Sequence, residues 1–165
     1  AGGPVPVHGW FERLLGRGAR RGILGGVDID YALICDYAEA VNGKMYIMGA
    51  GWEMTTAPAL PAAVRIAVAF GVRFGWDETN KAAPVIVRIE DDDGSELVRI
   101  EGQMNVGRPP LLPPGSTQLA QMAANVPVSV PRYGGYIVVV RAGEGAEAVE
   151  RRLQFRVAPV RPPGT

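Results

Sequence analysis

Residues 64–74 alternate without a break. Val64, Ile66, Val68, Phe70, Val72 and Phe74 fall on one parity, and Arg65, Ala67, Ala69, Gly71 and Arg73 on the other. Successive strand side chains point to opposite faces, so a period of two over this length fits an extended strand and no helix. One face is large and apolar and must be covered. The other is mostly alanine and glycine, which leaves room for water or for a second covering element. The same rhythm sets Leu153, Phe155 and Val157 against Arg152, Gln154 and Arg156, and Val85, Val87 and Ile89 against Ile86, Arg88 and Glu90.

Further strands are predicted at residues 29–37, 45–50, 97–106, 120–130 and 136–141. Turn chemistry separates them: Asn42-Gly43 and Asp93-Gly94 tolerate positive φ in tight hairpins, and Gly143-Glu144-Gly145 joins the last two strands. Short strands at this spacing, with no long helical periods between them, predict an all-β fold: a seven- to eight-stranded antiparallel β-sandwich, immunoglobulin-like in outline. Tyr136, after Gly134-Gly135, opens a late strand. It is either part of an ordinary glycine-rich turn or a tyrosine corner whose hydroxyl bonds upstream backbone. One cysteine in the chain excludes the Cys…Trp…Cys pattern of an antibody-type domain, and no 20–50-residue repeat suggests a solenoid.

Three regions separate by composition: a basic Gly/Arg-rich leader over residues 1–26, a β-sandwich domain over 27–158 and a Pro-rich tail over 159–165. The zero net charge hides a division, because the leader carries four arginines against Glu12 while residues 27–158 carry 12 basic and 16 acidic groups. Nucleic acid is therefore not an expected partner, since attraction would rest on the leader's arginines alone. No window reaches the roughly 18–20 apolar residues of a transmembrane segment. Arg20-Arg21 is followed by Ile23-Leu24-Gly25-Gly26-Val27-Asp28, where aspartates interrupt any signal-peptide core, so the expected location is cytoplasmic.

Catalytic groups are scarce. His8 is the single histidine and lies close to the first residue; Cys35 alternates with strand residues and reads as a small buried hydrophobe. Transition metals would lack imidazole and thiolate ligands, so neither metal nor cofactor is expected. The acidic run Glu90-Asp91-Asp92-Asp93-Gly94-Ser95-Glu96 lacks calcium-loop spacing and reads as a solvated hairpin tip. Asp28, Asp30 and Asp36, or Asp77 and Glu78, are the carboxylates an acid/base pair would draw on. No phosphate-binding glycine motif is present.

The expectation is a non-enzymatic protein-interaction or assembly module, with a protein partner or self-association through sandwich loops. Its candidate contacts are Trp52, Trp76 and the crossover Gly107-Arg108-Pro109-Pro110-Leu111-Leu112-Pro113-Pro114-Gly115, of which Arg108, Leu111 and Leu112 carry side chains suited to contact. That crossover is expected to be stiff, linking two sheets with its leucines tucked in. In the leader, Trp10, Phe11, Leu14 and Leu15 would share one face of a short helix that could dock on its own domain, on a partner or, more weakly because one short face buries little, on a membrane surface, unless the leader is disordered. The alternative is a small-molecule or carbohydrate-binding sandwich using Trp52 and Trp76, with Asp77 and Asn80 as polar partners.

Several segments together carry a resemblance: Ala32-Leu33-Ile34-Cys35-Asp36-Tyr37-Ala38-Glu39, Asn42-Gly43-Lys44-Met45-Tyr46-Ile47-Met48-Gly49-Ala50-Gly51-Trp52, Glu78-Thr79-Asn80, Val106-Gly107-Arg108-Pro109-Pro110 and Leu112-Pro113-Pro114-Gly115. From about Tyr31 to Val157 the chain resembles a domain-of-unknown-function family of small uncharacterised bacterial proteins, common in actinobacteria. The resemblance implies a sandwich fold and brings no catalytic motif.

Overall fold

The computed structural model describes residues 26–160. Alternating apolar segments form ten strands: β1 (Val27–Cys35), β2 (Tyr37–Val41), β3 (Lys44–Met48), β4 (Met54–Ala57), β5 (Ala62–Phe74), β6 (Ala82–Asp91), β7 (Glu96–Asn105), β8 (Gln118–Val130), β9 (Gly134–Ala142) and β10 (Val149–Pro159). A three-stranded sheet, β1-β5-β8, faces a five-stranded sheet, β4-β10-β9-β6-β7. The fold is the expected all-β sandwich. All pairs are antiparallel except β4 with β10, where Met54–Ala57 runs parallel to Arg156–Pro159. Pro127 is tolerated inside β8 because that strand is at the edge of its sheet.

Ten strands rather than seven or eight appear for two reasons. The predicted strand at 29–37 breaks at Asp36, where β1 leaves its sheet and β2 starts a separate hairpin. β4 exists through its pairing with β10 and has little signal of its own. The tail boundary also shifts, because Pro159 belongs to β10.

The large apolar face of β5 fills the core between the sheets. Val64, Ile66, Val68, Phe70, Val72 and Phe74 pack there with Val85, Val87 and Ile89 of β6, Val138 and Val140 of β9, and Phe155 and Val157 of β10. The small face of β5 has the second covering element that its alanines allow. Ala67 and Ala69 join Cys35 and Ala38 in a separate buried cluster, with Met45 and Ile47 of β3 packed against it. The β2–β3 hairpin is thus a third layer. Its tight turn has Asn42 and Gly43 at φ 50° and 72°, the positive values that dipeptide supplies cheaply. Polar side chains of β8 fix it: Asn125 accepts from the Ala38 N–H at 3.4 Å and donates to the Ala38 carbonyl at 2.9 Å, and Gln121 donates to the Gly43 carbonyl at 2.6 Å.

Tyr136 is buried, stacks on Phe155 and donates its hydroxyl to the Arg132 carbonyl at 2.6 Å. Of the two readings of the Gly134-Gly135-Tyr136 turn, the tyrosine corner is the one that forms. The acidic run departs from expectation at Glu90, which is paired on the outer sheet face, and at Asp91. Asp92 and Asp93 are exposed, but Asp91 is 7% exposed, and its carboxylate accepts from the Asp93 and Ser95 N–H groups at 3.0 and 2.9 Å and pairs with Arg132 at 3.1 Å. It caps the turn, so backbone donors and a guanidinium take up its lone pairs.

On the outer face of the five-stranded sheet, Arg88 of β6 pairs with Glu90 and, at 3.4 Å, with Glu150 of β10; Arg152 pairs with Glu90 at 3.0 Å. Val139, on the same face, is fully buried beside them, its register partners being Arg88 and Arg152. The Arg88 hydrogen bond, helped by Arg152, holds the Glu90 carboxyl below its ordinary value. A depressed folded-state value stabilises the fold above the unfolded-chain value of about 4.5, and this contribution disappears as pH falls through the folded value. Glu90→Gln should therefore be less stable than the parent at about pH 7, with a flatter decline below about pH 4.5, by urea denaturation. Identical slopes for the two proteins would mean that the Glu90 contacts contribute nothing.

Candidate interaction loop

Residues 106–117 cross from β7 in the five-stranded sheet to β8 in the three-stranded sheet, the bridging role expected of them. Two successive turns shape the crossover, with the Leu112 N–H donating to the Pro109 carbonyl at 3.0 Å and the Ser116 N–H to the Pro113 carbonyl at 3.2 Å. Gly115 takes φ 81°, a conformation that disfavours side chains. Four prolines fix φ around these turns and lower the entropy lost on ordering the loop.

The base is clamped to the segment after β5. Trp76–Glu78 forms a single 3-10 turn. Beyond it the Asn80 N–H donates to the Val106 carbonyl at 2.7 Å, and Gln118 donates to the Gly107 carbonyl at 2.7 Å. Arg108 donates through Nη2 to the Trp76 carbonyl at 2.9 Å and through Nε to the Thr79 hydroxyl, and its guanidinium lies 4.5 Å from the Trp76 ring centre. Thr79, buried, donates its hydroxyl hydrogen bond to the Trp76 carbonyl at 2.7 Å. A cation over an aromatic face contributes about 0.5–1 kcal/mol at an exposed site. The hydrogen bonds add directionality.

The tip is where the structure differs from the tucked-in expectation. Leu112 is half-buried, but Leu111 is 96% exposed. An ordered, proline-braced loop thus holds an isolated leucine in water. Of the other sequence candidates, Trp76 is half-buried beneath Arg108. Trp52 packs edge-on against Phe155 with ring centres 6.0 Å apart, joining the core rather than a loop tip. Trp10, Phe11, Leu14 and Leu15 lie outside the described residues. Sequence reasoning missed Thr79 and Gln118, whose contribution depends on contacts across the chain. It also missed the outward side chains of the hairpin, Tyr37, Val41, Tyr46 and Met48.

Of the five carboxylates that an acid/base pair would draw on, three have structural partners: Asp28 accepts from the Ile29 N–H at 2.9 Å, Asp30 pairs with Arg73 at 3.0 Å and Glu78 with Lys81 at 3.5 Å. Cys35 is buried; burial first, then the Asp36 charge, pushes its thiol up, away from the nucleophilic thiolate. A cleft of about 230 Å³ lies at one end of the sandwich among Glu78, Lys81, Pro84, Gly143, Glu144 and Glu147, and its lining includes neither Trp52 nor Trp76. Among the described residues, no group of three or more His, Cys, Asp and Glu side chains is placed to hold a metal ion, and no helix is long and apolar enough to cross a membrane.

The chain belongs to the family of unknown function DUF6941, which it matches over residues 30–158. The resemblance to a domain-of-unknown-function family read at 31–157 agrees with this match. No curated protein matches the chain. Among solved structures, it is similar to the C-terminal domain of wzt, with 15% identity, a TM-score of 0.50, and coverage of 83% of this chain and 76% of that one. It is also similar to a beta-glucuronidase from glycoside hydrolase family 2, with 15% identity and a TM-score of 0.38, over 77% of this chain and 11% of that one. The first likeness agrees with the sandwich fold.

Proposed function

We propose that the DUF6941 domain of this chain is a non-enzymatic protein-interaction module whose crossover loop, residues 106–117, presents Leu111 to a protein partner. The observation that carries this reading is the 96% exposure of Leu111 at the end of a loop that is otherwise fixed. Ordering a loop before binding removes much of the entropy cost that association imposes, so an apolar side chain held this way is better placed to bind than one on a free segment. Arg108 and Trp76 act from below by holding the loop's base.

A photo-crosslinking residue at position 111 of the full chain, used in lysate of the source cells, tests the reading. The expected result is a discrete protein adduct that competes away with unlabelled chain. Unlabelled Leu111→Asp chain should compete at least about tenfold less well, the loss typical of an interface anchor. The same crosslinker at Glu101, on the outer face of β7, serves as the control. No adduct at position 111, the same adduct from Glu101, or undiminished competition by Leu111→Asp would overturn the proposal.

A further inference from the structure

The β2–β3 hairpin has its small and medium residues inward, against the alanines of β5, and its larger ones outward. Tyr37, Val41, Tyr46 and Met48 are 46, 38, 56 and 65% exposed on the outer face. Register places Tyr37 opposite Met48, Glu39 opposite Tyr46 and Val41 opposite Lys44, so these six side chains form one continuous surface. A two-stranded ribbon is marginal in water by itself. This one is held in place by Asn125, Gln121 and the alanine cluster, and it displays an apolar patch of the kind that marks contact sites.

We propose that this face is a self-association surface on which a second copy of the chain docks face to face about a two-fold axis. Charge selects the occupant. Glu39 and Lys44 are the charged residues of the face; both are exposed, and neither is in an ion pair among the described residues. In an isologous contact, residue i meets j while j meets i. An axis in the interface plane midway between Glu39 and Lys44 brings each glutamate onto the other copy's lysine. Two identical bridges result, with Tyr46 and Val41 between them, so the face is complementary to itself. Two five-residue strands offer a face only about 17 Å long. That is below the roughly 800 Å² per partner of a standard interface, so the association is weak, with a dissociation constant on the order of 100 μM.

Sedimentation equilibrium of the full chain from about 10 μM to about 1 mM reads this directly. The parent should rise from monomer toward dimer mass. Glu39→Lys and Lys44→Glu should each weaken the dimer about tenfold or more by opposing like charges, and the double exchange should restore it. Near-UV circular dichroism checks that each variant keeps its packing. Leu111→Asp should leave the dimer unchanged, which separates this proposal from the loop reading. In hydroxyl-radical labelling, Tyr46 and Met48 should gain protection in step with dimerisation. A monomer throughout, a dimer indifferent to both single exchanges, failure of the double exchange to restore it, or loss of the dimer with Leu111→Asp would overturn the proposal. So would protection of Tyr46 and Met48 at concentrations where the chain is monomeric, which would point to cover by residues 1–25 of the same molecule.

Discussion

Replacing Phe70 with alanine should remove about 3–5 kcal/mol of stability, a large share of the roughly 5–15 kcal/mol that holds a domain of ordinary size together. Phe70 is fully buried at the middle of β5, the central strand of its sheet, with Ala32 of β1 and Met122 of β8 as register partners. Its ring enters the shared core of the two sheets, and the hydrogen-bonded strands on both sides limit how far the backbone can collapse into the space left behind. The loss therefore includes a cavity term as well as a transfer term. Urea denaturation should show a lower midpoint at an unchanged slope, since the same surface is exposed on unfolding. Phe70→Leu, which keeps most of the volume, should cost under about 1.5 kcal/mol. A cost that small for the alanine variant would mean that the two sheets do not share a tightly packed core.

That prediction could be framed from β5 alone because its alternation is local. The parity of residues 64–74 identifies the core face, and the smallness of the opposite face foretells a covering element without saying which one. The hairpin that fills the role is separated from β1 only by Asp36, and Cys35 and Ala38 on either side are both fully buried. Asp36 and Tyr37 between them are exposed, but no glycine or proline marks the break, so residues 29–37 read as one strand. β4 was illegible because its only local signal is Thr55-Thr56, while its existence rests on a parallel partner about a hundred residues later.

The candidate sites were legible to different degrees for the same reason. Proline and arginine singled out residues 107–115, but the contact of Arg108 with Trp76 joins positions 32 apart and follows from how the segments after β5 and β7 meet. The two leucines of the loop are equivalent in sequence. Which one faces water depends on the pair of turns, and apolar character by itself says little about exposure because much of any folded surface is apolar. On the hairpin, both faces carry apolar side chains, so alternation could not reveal which one packs inward. The size of the residues on β5 decides it.

Ala69→Leu tests that decision. Ala69 is fully buried, pairs with Leu33 and Ala123, and lies in the small cluster beneath the hairpin. Three added carbons have no free volume to enter, and overpacking of this kind costs about 1–3 kcal/mol. The sandwich core lies on the other face of β5 and is not crowded, so the strain falls on hairpin docking. The β2–β3 ribbon cannot hold itself, and displacement should break the Asn125 bonds to Ala38 and the Gln121 bond to Gly43 together. Hydrogen exchange should then show protection of residues 37–48 falling by about 10–100-fold, as 1–3 kcal/mol dictates, while residues 64–74 retain most of theirs. Self-association should fall with it, because the outer face needs an ordered ribbon behind it. An equal loss of protection in both segments would mean instead that the third layer unfolds only with the whole domain.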